Sequence, residues 1–348
     1  MVQVIAPAPR DLWQRVLAAD PNALVSQTPA WLDCICATGA YEDASRLYLL
    51  GGARQVVLPL VRRAGAHGVE AFGVEASPPR AWGMGGIVAP GGAGQADVDA
   101  VCADLGARRV LRTLIRPDPL QGPLWAAARP HASSVARTAH VLDLTGGFDE
   151  VWRSRFTGEA RTAVRKAERA GLEVVCDTTG ALVPVFYRLF RLSLDRWASR
   201  QHEPRPLARH RGRNRDPLEK FELLARRLGE ACRLWVASAG GEPAAAILVF
   251  QGANASYTRG AMDPQLAGPT RANYLLHRLA IEDACAAGCR RYHMGETGSA
   301  AGLAQFKTRF GAGAHPYAEY SFERLPVTSI DRGLRRAAKA ALRFKDDG

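Results

Sequence analysis

The chain has 348 residues, 47% of them hydrophobic and 23% charged, with a formal net charge of +12. That length favours two domains over a single core, and the balance excludes wholesale disorder. The surplus of positive charge leaves two readings: a solvated arginine-rich surface, or an anionic partner such as nucleic acid, a phosphorylated substrate or an anionic membrane. The N-terminus, Met1 to Pro7, has no basic segment followed by an apolar run, so no signal peptide is expected. No apolar run approaches the ~18 residues that span a bilayer. Residues 11–19 read as a short helix. Thr28 as N-cap and Pro29 at the first helical position start a second one, which stops at Gly39. Cys34 and Cys36 on that helix have no second pair nearby. With seven scattered cysteines in all, the pattern is neither a zinc signature nor a disulfide framework. Free thiols in a reducing cytosol are expected.

Residues 45–50 and 55–61 read as two strands joined by Gly51-Gly52-Ala53. The glycine-rich stretch from Ser77 to Val88 matches no phosphate-binding fingerprint. It is either a strand whose neighbour approaches closely or a cleft wall, with Arg80 and Trp82 as substrate contacts. A helix over 95–105 and strands over 110–115 and 140–144 complete the first half. Thr145-Gly146-Gly147 marks a boundary, and Asp149 caps an expected helix with apolar residues at helical spacing from Val151 to Ala167. Arg161, Arg165 and Arg169 stand four apart with Lys166 beside them. This is a solvated face, or one that meets phosphate.

A strand over 172–176 and a helix over 180–199 come next. Residues 201–215 carry five arginines, two histidines and two prolines, and give the strongest loop signal of the chain. His202 and His210 lack metal-ligand spacing. Asp216-Pro217-Leu218-Glu219 reads as a capping arrangement for a helix to Leu228. Three antiparallel strands follow, the first two turning at Gly240-Gly241. Thr270 is expected to cap a long helix from Arg271 to Ala287. A short buried strand from Cys289, a glycine-broken turn, a short helix carrying Lys307 and an alternating strand over 317–322 end the folded part. Residues 329–345 read as a basic terminal helix, either packed on the surface or facing an anionic membrane or RNA.

Three motifs in the second half resemble the Fem family of aminoacyl transferases and its relatives in the N-acetyltransferase (GNAT) superfamily. The first is Arg161-x-x-x-Arg165-Lys166-Ala167-x-x-x-Gly171. The second is the helix from Ala272-Asn273-Tyr274-Leu275-Leu276 to Gly288. The third is Tyr292-x-Met294-Gly295 followed by Gly302-Leu303-x-x-Phe306-Lys307-x-x-Phe310-Gly311. The resemblance covers roughly residues 149–322. It implies an α/β fold of two tandem GNAT-like domains, each a mixed, mostly antiparallel sheet flanked by helices. The expected divisions are 1–144, 145–325 and a tail over 326–348, with a substrate cleft between the domains. It also implies a role for Lys307 near the aminoacyl ester. Two departures stand out: Tyr292 replaces the usual Asp, and His293 stands where a large apolar residue is usual. No helical arm for tRNA is visible. Gln265 to Thr270 holds the place of an acetyl-CoA loop only in degenerate form.

Acyl transfer to an amine needs a deprotonated amine, a donor held in line and stabilisation of the oxyanion. Lys307 is the first candidate for the oxyanion or the leaving oxygen. Glu296 could accept a proton, although a turn role would equally place it there. Tyr257, Arg271, Tyr274 and Phe306 could contact donor or substrate, and Arg161, Arg165 and Lys166 could hold phosphate. No nucleophile–base pair stands out, so direct transfer with no covalent enzyme intermediate, no metal and no tightly bound cofactor is expected. The reading is a cytoplasmic amide-forming acyltransferase that uses aminoacyl-tRNA. Its acceptor is an amine of a cell-wall precursor or small metabolite, which can carry phosphate. Transient contact with an anionic membrane is compatible with the charge, and no stable protein partner is expected. Two alternatives stay open: an acyl-CoA-dependent N-acyltransferase of polysaccharide or secondary metabolism, and a non-catalytic tandem domain that binds anions or RNA.

Overall fold

A computed structural model describes residues 2–65, 73–201, 203–298, 300–325, 328 and 333. His202 and the expected helix over 329–345 therefore fall outside the described residues, Gly333 excepted. The chain divides into two compact units. Among the described residues, one holds those up to Ala139 and the segment that begins at His315, and the other runs from His140 to Ala314.

The first unit begins with β1 (Gln3–Ile5), α1 (Arg10–Ala18) and α2 (Pro29–Cys36). The hydroxyl of Thr28 accepts from the Trp31 backbone N–H at 3.2 Å, as the Thr-Pro pair predicts. Next come β2 (Tyr41–Asp43), β3 (Arg46–Leu50), β4 (Arg54–Leu58), β5 (Val61–Arg63), β6 (Val74–Ser77), α3 (Gln95–Ala107), β7 (Arg112–Ile115) and α4 (Gly122–Ala127). Strands β1, β3 and β4 form a small antiparallel sheet. A second sheet runs β2, β5, β6, β7 and then β14 (Gly313–Glu323), which enters from the far end of the sequence. The core lies between these sheets and α3. It includes Tyr48, Val56, Leu58, Val98, Val101, Ile115 and Trp125, with Tyr320 and Phe322 of β14.

The glycine-rich stretch is a place of close approach. A Cβ on Gly85 would lie 2.6 Å from the Ser77 carbonyl, so only glycine lets these two backbones touch.

Strand β8 (Ser133–Asp143) carries the chain into the second unit. There α5 (Gly147–Glu150) runs into a π-helical turn over Val151–Arg155. The chain then breaks and restarts as α6 (Gly158–Glu168). One continuous helix capped by Asp149 was expected. The break arises because Thr157 becomes a new N-cap, its hydroxyl accepting from Ala160 N–H at 3.3 Å. The Thr157 N–H is drawn off to the Arg309 carbonyl at 2.9 Å.

Strand β9 (Glu173–Asp177) is followed by α7 (Val183–Arg200), α8 (Arg205–Arg215) and α9 (Leu218–Leu228). The expected loop over 201–215 is thus largely helical. Asp216 does not cap α9, because its carboxylate is buried and bonded to Lys220, Arg215 and Arg259 instead.

Strands β10 (Cys232–Ala239), β11 (Glu242–Gln251) and β12 (Ala255–Met262) form an antiparallel meander with β9 at its edge. Gly240 and Gly241 both take positive φ, which is what the two-residue turn between β10 and β11 requires. Strand β11 is apolar almost throughout because helices cover both its faces. Ala245, Ile247 and Val249 pack with α6 and α11 (Ala272–Ala286), while α7 lies against the strand as well. A short helix, α10 (Pro264–Thr270), precedes α11. Between them Arg271 sits in the left-handed region at φ 58° and takes the N-cap position expected of Thr270. The Thr270 hydroxyl instead bonds back to the Leu266 carbonyl at 2.6 Å. The unit ends with β13 (Arg291–Glu296) and α12 (Ala301–Arg309).

Candidate active site

Two strands that part company make the site. Parallel strands β12 and β13 share only two register pairs, Ala255 with Tyr292 and Ser256 with His293. Beyond that point β13 has no register with β12, and the carbonyls at the end of β13 are met by Lys307 of α12. Its Nζ donates to the Gly295 carbonyl at 2.8 Å and the Glu296 carbonyl at 2.7 Å. The lysine is only 2% exposed. Burial pulls its pKa down to about 7, against the weaker opposing pull of Glu296.

An aromatic cluster encloses the lysine's helix. Phe306 packs edge-on to Tyr274 at 5.0 Å between ring centres and to His277 at 5.4 Å. Tyr257 of β12 meets His277 at 4.7 Å. The His277 Nδ1 lies 3.4 Å from the Tyr292 hydroxyl. Burial first, and then the charge of Lys307, depress His277 to about 3, so it is a neutral imidazole. Burial pushes Tyr257 up to about 12 and Tyr292 well above its ordinary value, so both phenols keep their protons.

Three contacts hold α12 and the residues after it against α11, α6 and the π-helical turn. Arg309 donates to the Tyr274 hydroxyl at 3.0 Å and pairs with Glu159 at 2.6 Å. Gly311, at φ 83°, passes so close to Arg155 that a Cβ would sit 2.5 Å from the Arg155 carbonyl. The last glycine of the Phe-x-x-Phe-Gly motif is therefore a packing requirement.

A bulge in β12 separates two functions along one strand. Leu248 faces Arg259 and Val249 faces Tyr257, leaving Thr258 as the extra residue. Tyr257 turns toward His277, while Arg259 turns to the other face and meets Asp216.

Of the residues singled out in the sequence, Lys307, Glu296, Tyr257, Tyr274 and Phe306 come together here. Arg271 is exposed at the start of α11, the helix that carries Tyr274 and His277. Arg165 and Lys166 are exposed on α6. Arg161 is engaged otherwise: its Nη1 donates to the Phe156, Arg153 and Trp152 carbonyls at 2.6, 3.0 and 3.2 Å. It closes the end of the π-helical turn, where carbonyls lack partners. Arg80 and Trp82 belong to the first unit. There Arg80 is exposed, and the buried Trp82 packs edge-on to Trp31 at 6.1 Å. His277 and Arg309 were not singled out. The signal for His277 was a lone histidine on an otherwise apolar helix face; for Arg309 it was a second cation two residues from Lys307.

The site holds a near-neutral lysine with one donor to spare. An ammonium has three N–H donors, and two are taken by Gly295 and Glu296. The third can meet a developing oxyanion, or the neutral amine can take a proton. Four of the seven thiols are held protonated and so are weak nucleophiles. Burial pushes Cys36, Cys102, Cys285 and Cys289 up to about 11, 12, 11 and 11. Among the described residues no three His, Cys, Asp or Glu side chains converge as a metal site would need, and no helix is long and apolar enough to cross a membrane.

Residues 154–308 match the family model described as "Acetyltransferase (GNAT) domain". No curated protein matches the sequence. Among solved structures, the crystal structure of FemX is similar at TM-score 0.68 and 13% identity, covering 94% of this chain and 99% of that one. A conserved protein of unknown function from Bacteroides thetaiotaomicron gives TM-score 0.55 at 9% identity, covering 92% and 99%. The C-terminal domain of a putative lysylphosphatidylglycerol synthetase from Agrobacterium fabrum gives 0.51 at 11% identity, covering 94% and 95%. At these identities the structural likeness speaks for the fold, and the matched domain speaks for the chemistry. Residues 154–308 therefore carry a GNAT acetyltransferase domain, which makes the chain an acyltransferase, and its fold is like that of FemX.

Proposed function

We propose that this acyltransferase moves an aminoacyl group from aminoacyl-tRNA onto the amine of a cell-wall precursor or small metabolite, in the cytoplasm. The observation that carries the reading is Lys307, buried where β12 and β13 part and titrating near neutrality. In this reaction the amine attacks the ester carbonyl, the C–N bond forms, and the C–O bond to the ribose breaks. The amine loses a proton and the ribose oxygen gains one. A lysine near pKa 7 is suited to both transfers, since an efficient acid–base group titrates close to the working pH. Its remaining N–H also suits the oxyanion. Tyr257, Tyr274, Phe306 and the side chain of Glu296 then border the reacting groups, and Arg271 stands at the entrance helix. Arg165 and Lys166 suit a phosphate of the acceptor, while Arg80 and Trp82 are candidate contacts in the first unit.

The likeness in fold to FemX and to the putative lysylphosphatidylglycerol synthetase domain supports an aminoacyl donor. A second reading, an acyl-CoA-dependent N-acyltransferase, is favoured by the description of the matched domain.

The test is transfer of radiolabelled amino acid from charged tRNA to a panel of amines, run beside a panel of acyl-CoA donors. Label appearing in an amide with charged tRNA, and lost in Lys307→Met, is the expected outcome. Release of free CoA thiol with no consumption of charged tRNA overturns it in favour of the second reading.

A further inference from the structure

More than half of the net positive charge of the chain falls in one stretch. Residues 183–215, which comprise α7, α8 and their connection, contain nine arginines and only two carboxylates, Asp195 and Glu203. Glycine and alanine hold α8 tightly on α7. A Cβ on Gly212 would lie 2.6 Å from a methyl of Leu194, and Ala208 is buried at the same seam. The small residues face inward, so the long side chains of α8 all point to solvent. Arg205, Arg209, Arg211, Arg213 and Arg215 are exposed there, as are Arg188 and Arg191 on α7.

The few acids do not neutralise this face. Asp195 binds Arg209 through both oxygens at 2.7 and 2.6 Å, Glu203 holds Arg211 at 2.6 Å, and Asp216 holds Arg215 at 2.9 Å. Among the described residues Arg205 meets only a hydroxyl, that of Ser199 at 3.5 Å, and Arg191 and Arg213 bond no carboxylate. The charges of Arg191 and Arg205 are nonetheless felt at Asp195, beside that of Arg209, so three guanidiniums gather about one carboxylate.

Arg205, Arg209 and Arg213 recur every fourth residue, about 6 Å apart along the helix axis. A row of guanidiniums at that spacing suits successive phosphates of a strand, each met by a planar fork. A membrane-surface helix would need a broad apolar stripe. Helix α8 has none: Leu207 is its one exposed apolar side chain of any size among the described residues.

We propose that the exposed arginine face of α7 and α8 is the docking surface for the phosphate backbone of an RNA. The inference deepens the reading of an aminoacyl-tRNA donor and rests on it for its purpose. The C-terminal end of α8 also leads toward the reaction. Asp216, which follows α8, is bonded by Arg259 at 3.1 Å, and Arg259 lies on β12, whose opposite face carries Tyr257.

The experiment measures binding of uncharged bulk tRNA to the full chain by fluorescence anisotropy, at several salt concentrations. The triple variant Arg191→Gln/Arg205→Gln/Arg213→Gln is compared with wild type and with Arg165→Gln/Lys166→Gln on α6. All five side chains are exposed, so the variants should keep the wild-type melting temperature. Loss of three phosphate contacts should lower the slope of log affinity against log salt by about 3 and weaken binding about tenfold or more. The α6 variant should bind as wild type does.

Absence of tRNA binding by wild type overturns the proposal. So does equal affinity of wild type and the triple variant, or binding of phosphatidylglycerol vesicles through these arginines while tRNA is ignored. Binding through this face without transfer from charged tRNA would leave the docking surface standing and remove the donor assignment.

Discussion

Replacing Lys307 with methionine should change how stability depends on pH. In the folded chain this lysine titrates near 7, and in an unfolded chain near 10.5. Between those values the unfolded lysine binds a proton that the folded one does not, so stability rises with pH across the window. Below about 7 both forms are charged and the full penalty of a buried ammonium remains. Each pH unit inside the window is worth about 1.4 kcal/mol. Integrated from pH 7 to 9, wild type should gain about 2 kcal/mol relative to Lys307→Met. The variant leaves the Gly295 and Glu296 carbonyls without their donor, at about 1–3 kcal/mol each, but that loss does not vary with pH. For a unit the size of 140–314, 1 kcal/mol moves the melting temperature by about 2–4 °C. The gap between the two melting temperatures should therefore shift by about 4–8 °C in favour of wild type from pH 7 to 9. Calorimetric melts of both proteins at pH 6, 7, 8 and 9 measure it. A gap that stays constant between pH 7 and 9 refutes a neutral buried lysine, and with it the acid–base role drawn from it.

Two further substitutions probe the frame around the site. Asp216→Asn leaves the buried Lys220 and the half-buried Arg259 without their counter-ion, and should destabilise by about 3–5 kcal/mol at neutral pH, read as a drop in melting temperature. In the wild type burial works to raise the Asp216 pKa, but Arg259 and Lys220 outweigh it and bring it to about 2. The stabilisation is therefore present above 3.8 and lost as pH falls toward 2. Gly311→Ala puts a methyl group into the Arg155 carbonyl and an alanine at φ 83°. It should lower stability by about 2–4 kcal/mol and loosen α12, so that transfer activity falls with it. A variant with wild-type melting behaviour contradicts the close approach.

Where the chain carries local signals, its structure could be read ahead. Thr28-Pro29 and Gly240-Gly241 each dictate their own geometry through a hydroxyl, a ring or a missing side chain, and the elements they bound appear as expected. The motif marks Lys307, and its burial goes with the two carbonyls at the end of β13 that it bonds. What could not be read was set by distant partners. Phe156 and Thr157 continue the apolar period of a helix, and the break there depends on the Arg309 carbonyl more than 150 residues away. Composition made 201–215 look like a loop, but Gly212 against Leu194 gives it a surface to pack on. Arg161 looked like a phosphate ligand because a guanidinium suits phosphate and helix-end carbonyls alike. His277 gave no warning, since its neutral state comes from burial among four aromatic side chains that gather round it only in the fold.

The return of β14 to the first unit sets an order on synthesis. Its Tyr320 stacks on Trp125 at 5.6 Å, and its buried Glu319 pairs with Arg116 and Arg137. Until residues 315–323 leave the ribosome, β7 has an open edge and those two arginines lack their carboxylate. The unit that starts first thus cannot finish until the other has been made. A nascent chain of this protein therefore spends the whole translation of the second unit with a half-closed sheet, which is the stretch of its life most exposed to chaperones and to misfolding.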